Sequence, residues 1–167
     1  ICSCKYTQYF IRMDKIDYFC SMINNDNPTL SAIADPMGAA IYDYHKNGCA
    51  ATLIVRSSMF DDDEIPVADL FRDFSQMPPL ERAALQMAGG RILDVGAGSG
   101  CHSLALKNMG KESIAIDISP LSVAVMKERG VDARQVNFYD PDFSERYDTV
   151  LMLMNGTGII GNLDNIE

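Results

Sequence analysis

Nowhere does this chain hold an apolar run near the ~20 residues needed to span a bilayer. No secretory leader is expected in it either, because Lys5, Arg12, Asp14, Lys15 and Asp17 are scattered through the first 20 residues. No Cys-x-x-Cys pair occurs, and the five cysteines, at 2, 4, 20, 49 and 101, are odd in number and irregular in spacing. That argues against a disulfide framework and against a metal site, the Cys2-Ser3-Cys4 pair included. It fits unpaired thiols in a reducing cytoplasm. Positive charge is scarce: 14 basic side chains stand against 23 acidic ones, a formal charge of −9. Such a balance repels a phosphate backbone, so no nucleic-acid partner is expected, and no membrane partner either.

What is present is enough for one domain of ordinary size: 167 residues, of which 47% are apolar. The chain starts on isoleucine, with Met13 and Met22 as candidate true starts, and stops at Glu167 soon after a strand-like run. A fragment is therefore expected, with residues 1–12 non-native or disordered. Residues 1–77 read as a mainly helical extension with one short strand. Asp35-Pro36 is a helix start, Met37, Ala40, Ile41 and Tyr44 recur at helical spacing, and Gly48 ends the run. Ala51 to Val55 reads as a buried strand. Asp61-Asp62-Asp63-Glu64 reads as a solvated loop, since acids adjacent in sequence do not converge on one cation. Pro66 to Asp73 and Pro79 to Ala88 read as two more helices.

From residue 78 the chain alternates. Strands are expected at Arg91 to Val95, Ser113 to Ile116, Ala133 to Val136 and Asp148 to Leu153. Helices are expected at Ser99 to Met109 and, capped by Ser119, at Pro120 to Arg129. Strands alternating with helices of this length imply an α/β fold with a parallel sheet and right-handed crossovers. Ligands of such sheets bind beyond the carboxyl ends of the strands.

Three features meet at that edge. Gly96, Gly98 and Gly100 follow the first strand directly and open a helix, so a backbone can approach a nucleotide-like ligand closely. The dinucleotide fingerprint needs a glycine at 101, where this chain has Cys101. Asp117 closes the next strand, 21 residues after Gly96, where an acid can accept bonds from both hydroxyls of a ribose. Asn137 to Asp140 follow the third strand, where an adenine would lie. Asp94 sits inside the first strand, and a carboxylate there is costly to bury without a partner. That partner is either a ligand's ammonium group or the turn's own amides. His102, in the first turn of a helix, reads as a packing or capping residue. His45 reads as a favourable charge near a helix C-terminus.

Leu93-Asp94-Val95-Gly96-Ala97-Gly98-Ser99-Gly100, then Ile114 to Ser119, then Tyr147-Asp148-Thr149-Val150-Leu151 together resemble the class I S-adenosylmethionine-dependent methyltransferases, over about residues 78 to 163. The resemblance implies a Rossmann-like doubly wound sheet, here partial, with strand order 3-2-1-4 and a bare apolar edge on its fourth strand, a surface suited to a homodimer. It implies S-adenosylmethionine as cofactor. Asp94 and Gly96 would hold its methionine end, Ala97, Gly98 and Gly100 would let the backbone approach, and Asp117 would bind the ribose. Ile118, Asn137 and Phe138 would meet the adenine. Many members carry an aspartate where Asn137 stands. After the fourth strand, Met154-Asn155-Gly156-Thr157-Gly158 replaces the Asn-Pro-Pro-Tyr of relatives that methylate amino groups, so Asn155 either shapes the mouth of the site or makes a simple turn. The expected activity is methyl transfer to a small-molecule acceptor. A nicotinamide-dependent oxidoreductase and a catalytically incomplete ligand-binding fragment are the alternatives.

Overall fold

The structure, a computed structural model, describes residues 8–12, 34–48, 52–56, 61–140, 142–154 and 156–160. In chain order these form β1 (Gln8–Arg12), α1 (Pro36–Asn47), β2 (Thr52–Arg56), β3 (Asp63–Pro66), α2 (Pro79–Met87), β4 (Ile92–Val95), α3 (Cys101–Asn108), β5 (Ser113–Asp117), α4 (Pro120–Glu128), β6 (Ala133–Gln135) and β7 (Thr149–Leu151). Single 3-10 turns stand at Val67–Phe71, Phe74–Gln76 and Gly156–Ile160.

The main sheet is parallel throughout, in the order β6-β5-β4-β7. This is the expected 3-2-1-4 arrangement. Every residue of β4 is buried, as a central parallel strand covered on both faces requires. On one face Ile92 packs with Leu85 of α2, Cys101, Ala105 and Leu106 of α3, and Leu151 of β7. Ala115 and Ala133, small enough to let a helix close in, pack under Val123 and Met126 of α4. On the other face Leu93, Val95 and Ile116 are covered by loop side chains, among them Phe138, Phe143, Tyr147 and Ile159. Burying each large aliphatic side chain is worth about 1.5–3 kcal/mol, so β4 is the centre of stability. The helix ends follow their local chemistry. Asp35 caps α1 through Gly38 N, Ser119 caps α4 through Ser122 N, and each is followed by proline at the first helical position. Lys111 Nζ donates to the carbonyls of Leu85, Gln86 and Ala88 at 2.9, 2.7 and 2.6 Å and so closes the end of α2.

Ahead of the main sheet the described residues hold more strand than periodicity implied: three strands stand there beside α1, where one was expected. β1 runs parallel to β2, and β3 runs antiparallel to β2 on its other side. Residues 8–12 form β1, and Tyr9, Phe10 and Ile11 are β-favouring residue types; residues 1–7 lie outside the described residues. The acidic run does not stay a loop: Asp63 and Glu64 enter β3, an edge strand whose exposure leaves no apolar alternation to read. The helix expected from Pro66 to Asp73 is only a 3-10 turn, because Arg72 leaves helical geometry with ψ 146°. Leu53, Ala40 and Val67 form the core of this region, with Met37, Tyr44 and Phe71 around them. α1 then docks along α4, where Lys46 and His45 both bind Glu128, at 2.7 and 3.0 Å.

Candidate functional site

The loop after β4 crosses the end of β5. The amides of Gly96 and Ala97 donate to the Ile116 carbonyl at 2.9 and 3.2 Å. Gly98 N donates to Asp117 Oδ2 at 2.9 Å, and Ser119 N donates to Asp117 Oδ1 at the same distance. Each carboxylate oxygen of Asp117 thereby takes one backbone amide and keeps a lone pair for a ligand hydroxyl. Gly98 has φ 56°, a left-handed conformation that aims its amide at Asp117. Among the described residues, a Cβ added there meets only Ile41 Cδ1 of α1, at 3.8 Å. Gly100 serves a different end. Its Cβ would lie 2.9 Å from Met126 Cγ and 3.2 Å from Val131 Cγ2, so the close approach at Gly100 is to the protein's own core.

Burial drives the Asp117 carboxyl up, the amides of Ser119 and Gly98 pull it back, and the charges of Asp35 and Asp94 push it up again, to about 6. Asp94 is 2% exposed and faces α3, where Ser103 Oγ donates to its Oδ2 at 2.7 Å. Burial raises its pKa against the opposing pull of His102 and Ser103. Neither of the two partners expected for Asp94 is this hydroxyl.

The remaining predicted residues gather at the same edge with varied roles. The Ala97 side chain is buried with Ala115, Val123 and Met126, so only its backbone faces the loop. Gly96 faces the turn at 156–160: a Cβ there would stand 2.8 Å from Ile159 Cδ1. Ile118 is half-buried, and its carbonyl accepts from Gln135 Nε2 at 3.2 Å. Asn137 Oδ1 accepts from Tyr139 N at 3.0 Å and shapes the turn after β6. Phe138 lies in the cluster of Val95, Ile116 and Ile159, edge-on to Tyr139 at 5.4 Å. Asn155 lies outside the described residues.

Sequence reasoning missed how the elements ahead of β4 reach the loop. Ser99 Oγ donates to the Leu70 carbonyl, and Arg129 Nη1 donates to Ser99 O and Oγ at 2.5 and 2.9 Å. The Arg129 guanidinium lies 4.7 Å from the centre of the Phe71 ring. A second network was equally hidden. Arg72 Nη2 grips both oxygens of Glu81 at 2.6 and 2.7 Å, and Glu81 Oε2 meets His102 Nε2 at 2.9 Å. Burial pulls His102 down, yet Cys101, Glu81 and Asp94 together raise it to about 9. Burial pushes Glu81 up, but its bonds to His102 and Arg72 outweigh it and leave the carboxyl below its usual range. The packing role expected of His102 thus includes an ion pair. No sequence pattern signals such pairs, because their members lie 9 and 21 positions apart.

Among the described residues no group of three or more His, Cys, Asp or Glu side chains stands ready to hold a metal. None of their helices is long and apolar enough to cross a membrane. Cys101 is a free, buried thiol, and the other cysteines lie outside the described residues.

A parallel sheet whose first loop is glycine-rich and whose second strand ends on an acid defines a Rossmann-like nucleoside-cofactor domain. Residues 92–164 match the family described as "Methyltransferase domain". A crystal structure of an S-adenosylmethionine-dependent methyltransferase from Bacteroides fragilis, in complex with S-adenosyl-L-homocysteine, is 65% identical with a TM-score of 0.78. The match covers 83% of this chain and 58% of that one. An uncharacterized methyltransferase of Staphylococcus carnosus (strain TM300) is 36% identical over 84 residues, 50% of this chain and 39% of that protein. Over this region the chain is similar to class I S-adenosylmethionine-dependent methyltransferases. It spans 39% of the length of the Staphylococcus carnosus relative and 58% of the Bacteroides fragilis one.

Proposed function

We propose that this chain binds S-adenosylmethionine at the carboxyl edge of β4 and β5, and that the protein to which it belongs transfers the methyl group to a small-molecule acceptor. The observation that carries the reading is the Gly98 N to Asp117 Oδ2 bond of 2.9 Å, which sets the glycine loop and the strand-end acid side by side. Asp117 takes the ribose hydroxyls on its remaining lone pairs. Ile118 and Phe138 give the adenine an apolar wall, and the Asn137 amide meets its edge. The backbone at Gly96 and Gly98 receives the methionine end, with Ile159 shifting off Gly96 to admit it. Asp94, turned toward Ser103, supports that end through α3. Asn155 belongs to the mouth of the site on sequence grounds. The bound product in the Bacteroides fragilis relative supports the cofactor.

When bound, the cofactor supplies a methyl group already activated on a sulfonium. The chain's task is to hold it in line with the acceptor and keep water out. Cys101 in place of the third dinucleotide glycine weighs against the nicotinamide reading. The net charge of −9 supports an acceptor other than nucleic acid, and the unpaired thiol supports a cytoplasmic setting. Among the described residues no strand pairs with the outer edge of β7, where Val150 is 47% exposed. That edge supports pairing with a second copy of the chain.

Calorimetric titration with S-adenosyl-L-homocysteine is the test. The parent binds, and Asp117→Ala weakens binding roughly a hundredfold, the loss of two hydrogen bonds to a charged acceptor at ~1.5 kcal/mol each. A folded parent that gives no heat overturns the proposal.

A further inference from the structure

One buried acid stands close to the site without belonging to the glycine loop or the strand ends. Asp35 is 1% exposed. Its Oδ1 accepts from Gly38 N at 2.8 Å, which accounts for the cap of α1. Its Oδ2 does something a cap does not need: it accepts from Ser119 Oγ at 2.6 Å and from Leu121 N at 3.4 Å. Ser119 is also the residue whose amide holds Asp117 Oδ1. The acid at the end of β5 is therefore tied, through a single intervening residue, to one that lies 82 positions earlier in the chain (117 less 35). The junction has no slack, since a Cβ at Gly38 would lie 2.2 Å from both Asp35 Oδ2 and Ser119 Oγ. Glycine at 38 is what lets α1 and α4 meet closely enough for the bond to form.

We propose that Asp35 is a positioning residue for the cofactor, acting through Ser119 to fix the turn that aims Asp117 at the ribose. The inference rests on the cofactor reading above. The carboxylate of Asp117 keeps its direction only while the amides of Gly98 and Ser119 both stay in place. Gly98 is held by the loop. Ser119 stands between β5 and α4, where its hydroxyl is fixed on one side by Ser122 N at 2.9 Å and on the other by Asp35. Cutting the Asp35 bond frees that turn.

The link also carries charge. The acids facing Asp117 are Asp35 from the cap of α1 and Asp94 from β4, and both oppose its ionisation. β6 sets the neutral Gln135 beside it, α4 contributes the neutral Ser119, and the guanidinium of Arg129 is engaged by Ser99. Asp35 thus fixes the geometry of Asp117 while raising the pH at which it accepts a proton.

The experiment measures S-adenosyl-L-homocysteine affinity by calorimetry from about pH 5 to about pH 8, for the parent, Asp35→Asn, Ser119→Ala and Ser119→Thr, with circular dichroism reporting the fold. Parent affinity falls as pH drops through about 6, where Asp117 protonates. Asp35→Asn keeps the oxygen that caps α1 and removes the charge, so its acid limb moves to lower pH. Ser119→Ala leaves the charge and cuts the link, so its limb does not move down, while affinity at neutral pH falls about tenfold. Ser119→Thr retains the hydroxyl and restores affinity, which a purely structural loss does not allow. If Asp35→Asn fails to fold, the contrast between Ser119→Ala and Ser119→Thr decides. A parent that binds, with variants that keep its midpoint and its affinity, overturns this inference alone. A folded parent that does not bind overturns the cofactor reading and this inference together.

Discussion

Gly98 and Gly100 lie two residues apart, both left-handed, yet an alanine at each should cost very different amounts. At Gly98 the added methyl group meets, among the described residues, only Ile41 Cδ1 at 3.8 Å, an ordinary contact. The cost is then the left-handed backbone alone, about 1–2 kcal/mol. At Gly100, with φ 78°, the same backbone cost applies, and the methyl group also lands 2.9 Å from Met126 Cγ and 3.2 Å from Val131 Cγ2. Both neighbours are buried, so the crowding adds about 1–3 kcal/mol. The sum of about 2–5 kcal/mol is a large share of the ~5–15 kcal/mol that holds a domain folded. Urea unfolding of the two variants measures the difference. In a Met126→Ala background most of the space opens, and the cost of Gly100→Ala should fall toward that of Gly98→Ala, with the Val131 contact remaining. Ligand affinity should show the opposite order, with Gly98→Ala the more damaging, because its amide holds Asp117. Equal destabilisation by the two alanines, or no relief in the Met126→Ala background, refutes the assignment of Gly100 to packing.

His102 ties stability to pH. Its folded pKa of about 9 lies above the ordinary 6.5, so the stabilisation is complete below pH 6.5 and is lost as pH rises through 9. The loss is on the order of 3 kcal/mol. Denaturation curves across that range should show the decline in the parent and a flat profile in His102→Gln. At the outer edge of β7, Val150→Lys places a charge on an exposed position. If the edge pairs two copies, light scattering should show a dimer in the parent and a monomer in the variant.

The glycine loop and the strand-end acid were legible because each depends on local chemistry: apolar runs, a turn that only glycine makes, a cap followed by proline; the order of the main sheet came from the family resemblance. Asp35 shows where this stops. Its Asp-Pro signature reveals a helix start, but nothing nearby in sequence reveals that its second oxygen reaches Ser119. The link between Arg72, Glu81 and His102 stayed hidden for the same reason, since residues on separate elements show no shared pattern until packing brings them together. Gly100 was legible as a glycine but not in its purpose. Pattern gives the left-handed turn, and only coordinates reveal Met126 behind it. β3 was lost because an exposed edge strand needs no apolar alternation.

That edge has a consequence for how copies of this molecule meet. β3 ends on Pro66, which lacks an amide to donate, and it carries Asp63 and Glu64 directly after Asp61 and Asp62. Two such rims brought together would oppose like charge along their whole length, so sheet growth from this side is self-limiting at neutral pH. β7 has no comparable guard, with Thr149-Val150-Leu151 on its border. Among the described residues the two sheets thus differ at their borders, one lined by acids and the other by Thr149, Val150 and Leu151.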